Sequence, residues 1–458
     1  MNNLVSRSLS RVRAIVSWGG EEKASLSSQD IDRLKQQMQD CVDGVGGEVS
    51  ARQRAIKLAE NYLSLDKNGR HAFLRLIALE FGPDPDAVAK AHDEYRKSLG
   101  TLDQWQAEAT LREAIRSRRI RILTQFNAIP QGVKFLVDMR ADLLGFLKED
   151  PELKALDREF ETRLGAWFDV GFLELKRITW DSPAALLEKL VEYEAVHEIR
   201  SWTDLKNRLD TDRRCYAFFH PRMPTEPLIF VEVALTTSLA GNVQKLLDVD
   251  APVADNRKAN TAIFYSISNT QAGLRGVSFG NFLLKRVIDD LKQDLPGLKQ
   301  FATLSPLPRF RAWVRENPAE LASVFTDADW KKLAPLGMTG PGSDLFRGLL
   351  ADDLDWTDNE KLMALLKAPF TRLAARYLLT AQRGQGPFDP VARFHLGNGA
   401  RLEHIHWLAD TSDKGFDQSF GMMVNYLYDP DDIETNIEAF AQEGKVASAS
   451  TIRRLIKR

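Results

Sequence analysis

Only two of the 458 residues are cysteine, Cys41 and Cys215. That is too few for a disulfide framework or a cysteine-rich zinc cluster, and a reducing compartment is the expectation. Net charge is equally scarce: 62 basic against 64 acidic residues leave −2 at neutral pH. Bulk electrostatics therefore call for neither nucleic acid nor a membrane surface. No apolar run approaches the ~20 residues that would cross a bilayer. The one basic run, Arg112, Arg116, Arg118, Arg119 and Arg121, has no aromatic residues interleaved to stack on bases. It reads as a solvated, ion-paired helix face. Histidines number seven, and His404 and His406 stand two apart, as metal ligands on one face of a strand would. No third ligand accompanies them, and the alternation with Ile405 and Trp407 makes them a solvent-facing pair.

What is present is ordinary globular material, 44% apolar and 28% charged, in a chain long enough for two or more cores. The first eighteen residues hold Arg7, Arg11 and Arg13, several serines and no acid. An organellar transit peptide has that composition, and so does the basic first helix of a cytoplasmic protein, which is the reading preferred here over a mitochondrial address. From residue 26 to about 165 the pattern is helix after helix, punctuated by Gly, Pro and Asn, with apolar stripes such as Phe73, Leu76, Ile77 and Phe81. One of these helices is expected over Leu102–Phe126. No period of fixed length repeats, which predicts an irregular bundle and not a solenoid.

The pattern changes near Trp167. Arg214–Phe219 and Leu228–Leu235 have strand composition, separated by helices, and predict a mixed α/β sheet. The fold class expected is α+β, with a helical domain over 1–166 and a sheet-centred domain over 167–458. Residues 262–267 (AIFYSI) read as a strand covered on both faces. After it comes the turn Arg275-Gly276-Val277-Ser278-Phe279-Gly280-Asn281, and then Phe282, Leu283, Val287 and Leu291 at helical spacing. Such a turn leaves backbone N–H groups unpaired at the positive end of a helix dipole, a ready site for phosphate. A second strand follows and delivers Ser305, which Pro306 holds extended at a sheet edge. No Gly-x-Ser-x-Gly surrounds this serine, so it is no nucleophile elbow; a turn residue and a fixed hydroxyl in a ligand site both suit it. His395 lies between Phe394 and Leu396 before a Gly397-Asn398-Gly399 turn. The segments around that turn, Arg393–Leu396 and Arg401–Ala409, are expected to be extended. A satisfied core histidine and a catalytic one are both open for His395, and Asn269 and Asn398 are weaker candidates for polar contacts.

The turn resembles the Arg/Gln-x-x-Gly-x-Gly loop with which N-acetyltransferase (GNAT) folds hold coenzyme A, with Ser278 at the middle glycine. Over nearly its whole length the chain resembles the malonyl-CoA decarboxylase family. The likeness is carried by His220-Pro-Arg-Met-Pro-Thr-Glu-Pro227, Phe264-Tyr-Ser-Ile-Ser268, Gly276-Val277 with Phe279-Gly280, Leu304-Ser-Pro-Leu-Pro308, Phe394-His-Leu-Gly-Asn-Gly-Ala400 and Gly421-Met-Met-Val-Asn-Tyr426. The resemblance implies a GNAT-like catalytic domain behind a helical domain that builds homo-oligomers. It implies conversion of malonyl-CoA to acetyl-CoA and CO2 with no cofactor beyond the coenzyme A of the substrate, and no metal. It places a catalytic serine at Ser305, a catalytic histidine at His395, and the coenzyme A loop at Arg275 through Asn281. Animal relatives look to have an acid where Ser278 stands, so a carboxylate there is no part of the mechanism in this chain.

Loss of CO2 from a malonyl thioester leaves an enolate, which needs hydrogen-bond donors at its oxygen and a proton at carbon. A serine hydroxyl can supply the first, and a histidine titrating near neutrality the second; the reverse division is equally open. Two rival readings remain at this point: an amine acetyltransferase that uses coenzyme A, and a non-catalytic assembly platform that only senses acyl-CoA.

Overall fold

The computed structural model describes residues 28–277, 283–351, 355–384 and 386–457. The basic N-terminal segment, and Ser278, Phe279, Gly280 and Asn281 of the glycine-containing turn, lie outside the described residues. Helices come first and a mixed sheet follows, the α+β arrangement expected. The chain forms two compact units. One holds the helices up to Glu174, with Phe219–Leu228 and the segment that begins at Thr270. The other holds Leu175–Phe218, Ile229–Asn269 and the remainder of the chain.

In the first unit Phe73, Leu76, Ile77 and Phe81 are all buried, as their spacing requires. Rings meet edge to face at 5.1 Å in the pairs Tyr62–Phe73 and Phe126–Phe135. The single helix expected over 102–126 is in fact two, Gln104–Ile115 and Arg119–Asn127. Ser117 makes the break: its hydroxyl donates to the Phe81 carbonyl and accepts from the Arg119 N–H, bonds that compete with helical ones. The basic run pairs with acids as expected, Arg112 with Glu108, Arg118 with Asp43 and Arg119 with Glu159.

The sheet is built from β1 (Glu174–Ile178), β2 (Arg213–His220), β3 (Met223–Thr236), β4 (Thr261–Asn269), β5 (Gln300–Thr303) and β6 (Ser305–Pro306). It is completed by β9 (Arg401–His406) and β10 (Met423–Tyr428), while β7 (Gln382–Arg383) and β8 (Gly386–Pro387) form a separate short ribbon. The strand order is β1-β2-β3-β4-β5-β10-β6, with β9 also on β10. Strand β4 pairs with β3 antiparallel from Thr261 to Asn269, but with β5 in parallel only from Thr261 to Phe264. Past Phe264 the two parallel strands part, because Ser305 turns to pair opposite Val424 of β10. The far half of β4 thus keeps one edge without a strand partner among the described residues. Buried Ile263, Tyr265, Ala302, Leu304, Met423 and Leu427 share a core below this opening.

Candidate active site

Strands β5 and β6 are one strand interrupted at Leu304. Across the gap, β10 is irregular at Asn425 and Tyr426, where its register with β9 shifts. Side chains repair the ladder there. The Asn425 amide donates to the Thr303 carbonyl at 2.7 Å, and the Tyr426 N–H donates to Thr303 Oγ1 at 3.2 Å. The interruption leaves Ser305 facing the space where β4 and β5 have parted.

His395 arrives from a different direction than expected. Residues Pro390–Gly397 are a helix, not an extended segment. Its N-cap is Asp389, whose carboxylate accepts from the N–H groups of Val391 and Ala392 at 2.9 and 3.0 Å, with proline at the first helical position. Asp-Pro is the sequence signature of a helix start, and it outweighs the extended reading of the four residues before Gly397. Asn398 closes the helix with its amide on the Phe394 carbonyl at 2.7 Å, the contact of a capping residue. His395 sits in the last turn and is aimed at β10.

There the two candidate residues meet. Ser305 Oγ lies 3.1 Å from His395 Nε2 and donates to Thr303 Oγ1 at 2.8 Å. On the other side of the ring, His395 Nδ1 lies 2.7 Å from the Tyr428 hydroxyl. The imidazole stacks on the Tyr426 ring, with centroids 4.6 Å apart and planes at 25°. All of these side chains are buried: Ser305 is 6% exposed, His395 3%, Tyr428 1% and Thr303 0%. A helix C-terminus favours imidazolium by up to ~2 kcal/mol. Burial opposes it and wins, pushing His395 down to about 3. The Tyr428 phenol moves the other way, well above its usual value, because it too is buried. The expectation of a histidine titrating near neutrality is therefore corrected: the imidazole is neutral, because no carboxylate offsets the cost of desolvating a charge.

Ser305 and His395 open onto a cavity of about 260 Å³, which Ser266 and Asn269 of β4 and Leu283, Leu284 and Val391 also line. Among the described residues that line it, none is Asp, Glu, Lys or Arg. Leu283 and Leu284 open the helix Leu283–Asp294, the one expected after the glycine-containing turn. Of that turn, Arg275 and Gly276 are exposed and Val277 is buried. Gly276 takes φ +86°, a conformation that suits glycine alone. Just upstream, buried Arg140 donates to the carbonyls of Gly273 and Arg275 at 2.9 Å each and to Asp157 at 2.9 Å, fixing the entry to the turn.

Asn269 ends β4 and is exposed at the cavity. His404 is exposed, and His406 donates to Asn425 Oδ1 at 2.6 Å; no metal-ligating group of three exists among the described residues. Two residues escaped the sequence reading, Thr303 and Tyr428. Both sit on near-continuous apolar strands, where a threonine or tyrosine reads as packing. The alternation of Tyr426 and Tyr428 was the one available signal that two polar-tipped rings share a face.

Family models agree with this architecture. The model for the malonyl-CoA decarboxylase N-terminal domain matches residues 81–168, and that for the C-terminal domain matches residues 171–458. The mitochondrial malonyl-CoA decarboxylase of Anser anser anser is 35% identical over 465 aligned positions, covering 95% of this chain and 91% of that protein. That of Rattus norvegicus is 36% identical, over 84% of this chain and 82% of its own. Among solved structures, the malonyl-CoA decarboxylases of Rhodopseudomonas palustris and Agrobacterium vitis superpose with TM-scores of 0.83 and 0.82. Each is 40% identical and covers 93% of this chain, with 99% and 100% of the respective neighbours matched.

Proposed function

The chain belongs to the malonyl-CoA decarboxylase family, and from that premise we propose that Ser305 and His395 together carry out the decarboxylation. The enzyme is a carboxy-lyase that converts malonyl-CoA to acetyl-CoA and CO2. The bond from the methylene carbon to the carboxylate breaks, and its electron pair passes to the thioester oxygen. CO2 leaves, and one proton, drawn ultimately from water, is added at carbon. In our reading Ser305 donates to the thioester oxygen as charge gathers there, and His395 returns the proton to carbon. A neutral imidazole N–H is a competent hydrogen-bond donor; as Nε2 gives its proton to carbon, Nδ1 takes one from the Tyr428 hydroxyl 2.7 Å away, and water restores the tyrosine proton. No metal or further cofactor enters this scheme; coenzyme A comes only as part of the substrate.

The observation that carries this reading is the 3.1 Å contact between Ser305 Oγ and His395 Nε2, at the end of a cavity with no Asp, Glu, Lys or Arg among the described residues that line it. Donors in such a site act with little competition from water. At about 260 Å³ the space falls below the ~300 Å³ at which pockets for drug-sized ligands begin. It suits the acyl thioester end of the substrate. The coenzyme A loop is assigned to Arg275–Asn281, as the resemblance to the family implies.

We assign homo-oligomer formation to residues 1–166. What supports this is the helical pair Pro85–Ser98 and Gln104–Ile115, which buries only Ala91 of its own residues. The pair leaves Leu99, Leu102, Trp105 and Ile115 exposed, more apolar surface than scattered single residues account for. The two free, buried cysteines suit a reducing compartment, and the cytoplasm is our assignment. No helix among the described residues is long and apolar enough to cross a membrane.

The test is malonyl-CoA incubated without any acceptor amine. CO2 release at full rate by the wild type is expected. Ser305→Ala should lose ~10²-fold or more, as for removal of an oxyanion donor. His395→Asn should lose ~10²-fold or more, on the scale of proton-transfer catalysis. Retention of wild-type turnover by either variant would remove that residue from the mechanism.

A further inference from the structure

We propose that Thr303 is a positioning residue that sets the order of protons along Tyr428, His395 and Ser305, and so holds His395 as the tautomer with its proton on Nε2. This rests on the reading of Ser305 and His395 as the reacting pair. The order starts at Thr303 Oγ1, which accepts twice. The Tyr426 amide has only a proton to give, and it gives it to Thr303 Oγ1 at 3.2 Å. The same oxygen accepts the Ser305 hydroxyl proton at 2.8 Å.

With the serine proton committed to Thr303, the 3.1 Å contact between Ser305 Oγ and His395 Nε2 is a hydrogen bond only if Nε2 carries the hydrogen. A neutral imidazole has one N–H, so Nδ1 is bare. It accepts from the Tyr428 hydroxyl at 2.7 Å. The later links follow from the donation of Ser305 to Thr303, and the interruption between β5 and β6 brings the Tyr426 amide to the same oxygen.

The consequence is chemical. In this order both Ser305 Oγ–H and His395 Nε2–H lie beside the cavity as donors, and a substrate oxygen can take either from its resting partner. In the opposite order Nε2 is an acceptor that holds the serine proton, and the imidazole hydrogen points away at Tyr428. The reacting pair then offers one donor fewer, and the one left is tied to nitrogen. Loss of a donor at a developing oxyanion lowers kcat by ~10²-fold or more. Because Thr303 is wholly buried and has no place in the cavity lining, its removal should act on kcat and leave KM within about 3-fold, as expected for an interaction made only in the transition state.

The experiment uses the full chain labelled with nitrogen-15 at histidine, with the His395 resonances identified by their loss in His395→Gln. In the wild type we expect the bare-nitrogen shift at Nδ1 and the N–H shift at Nε2. Thr303→Val, which keeps the shape and removes the hydroxyl, should move the proton toward Nδ1 and lower kcat. Thr303→Ser should restore both. A wild-type enzyme with its proton on Nδ1 overturns the proposal with no variant needed, which covers the case in which Thr303→Val fails to fold. A folded Thr303→Val enzyme with unchanged tautomer and kcat overturns it too. Neither result touches the choice of Ser305 and His395 as the reacting pair, which stands or falls with Ser305→Ala and His395→Asn.

Discussion

Burial of a neutral His395 makes acid the weakness of this fold, by an amount that can be worked out. In the unfolded chain the imidazole takes its proton near pH 6.5, whereas in the folded protein it does so near pH 3. Between those values the unfolded state binds the extra proton and the folded state does not. Stability therefore falls as pH drops below 6.5, with a slope approaching ~1.4 kcal/mol per pH unit. At pH 5 the loss amounts to about 2 kcal/mol, and its limit, reached below pH 3, is about 5 kcal/mol.

Replacing His395 with Gln removes this term. His197, which burial pushes down to about 4, loses stability over much the same window, but it is present in both proteins and cancels in the comparison. Urea unfolding followed by tryptophan fluorescence at pH 7.5 and 5.0 gives the two drops. The wild type should lose about 2 kcal/mol more than His395→Gln. Equal losses would mean that the folded imidazole is protonated at an ordinary pKa. The same conclusion has a kinetic face, because kcat/KM reports the ionisations of the free enzyme. Between pH 6 and 8 it should lack the acidic limb near 6.5 that an imidazolium donor, or an ordinary histidine base, would impose.

Two further predictions concern the scaffold. Arg208 makes five hydrogen bonds, to Asp204, Glu232 and the carbonyls of His197 and Glu198; Arg208→Met strands buried carboxylates and should cost ~3–5 kcal/mol in urea unfolding, a loss under ~1 kcal/mol refuting the role. A Cβ at Gly273 would lie 1.8 Å from the Val137 carbonyl oxygen. Gly273→Ala should therefore lower the thermal midpoint by an amount equal to ~2–3 kcal/mol, while Gly165→Ala, inside the helix Lys154–Trp167 with nothing within 4 Å, should be neutral or stabilising.

The elements that announce themselves in the sequence are those whose cause is local. The buried strand β4 shows as AIFYSI, the amphipathic helix behind the turn shows as Leu283, Val287 and Leu291, and Pro306 marks Ser305 as the end of an extended run. His395 was picked out by its setting between apolar neighbours. Its backbone was misread because four residues before a Gly-Asn-Gly turn resemble a strand end, and the helix start that overrides them, Asp389-Pro390, lies one turn upstream. The contacts that make the site are of another kind. His395 and Ser305 are 90 residues apart, and Tyr428 is a further 33 on. Nothing in the local pattern of any one segment specifies the others. Thr303 is the clearest case: its hydroxyl meets both the Tyr426 amide and Ser305 only because two strands are interrupted side by side.

On the mechanism proposed for Ser305 and His395, the neutrality of the imidazole bears on how such a site would favour decarboxylation. A malonyl group enters with its charge on the carboxylate, and in the transition state that charge moves to the thioester oxygen. A cation in the cavity would attract the carboxylate at least as strongly as the forming enolate, and binding the ground state as well as the transition state adds nothing to kcat. Here the described lining holds no cation, and the one group able to become a cation is held neutral by burial. What the reacting pair offers is two neutral donors, one hydroxyl and one imidazole N–H, in a pocket whose other polar lining, Ser266 and Asn269 among it, is also uncharged. Such donors interact weakly with a distant carboxylate and strongly with an oxygen that gains charge beside them. The burial that costs the protein stability in acid is, on this argument, the same burial that directs its binding energy to the moment when CO2 leaves.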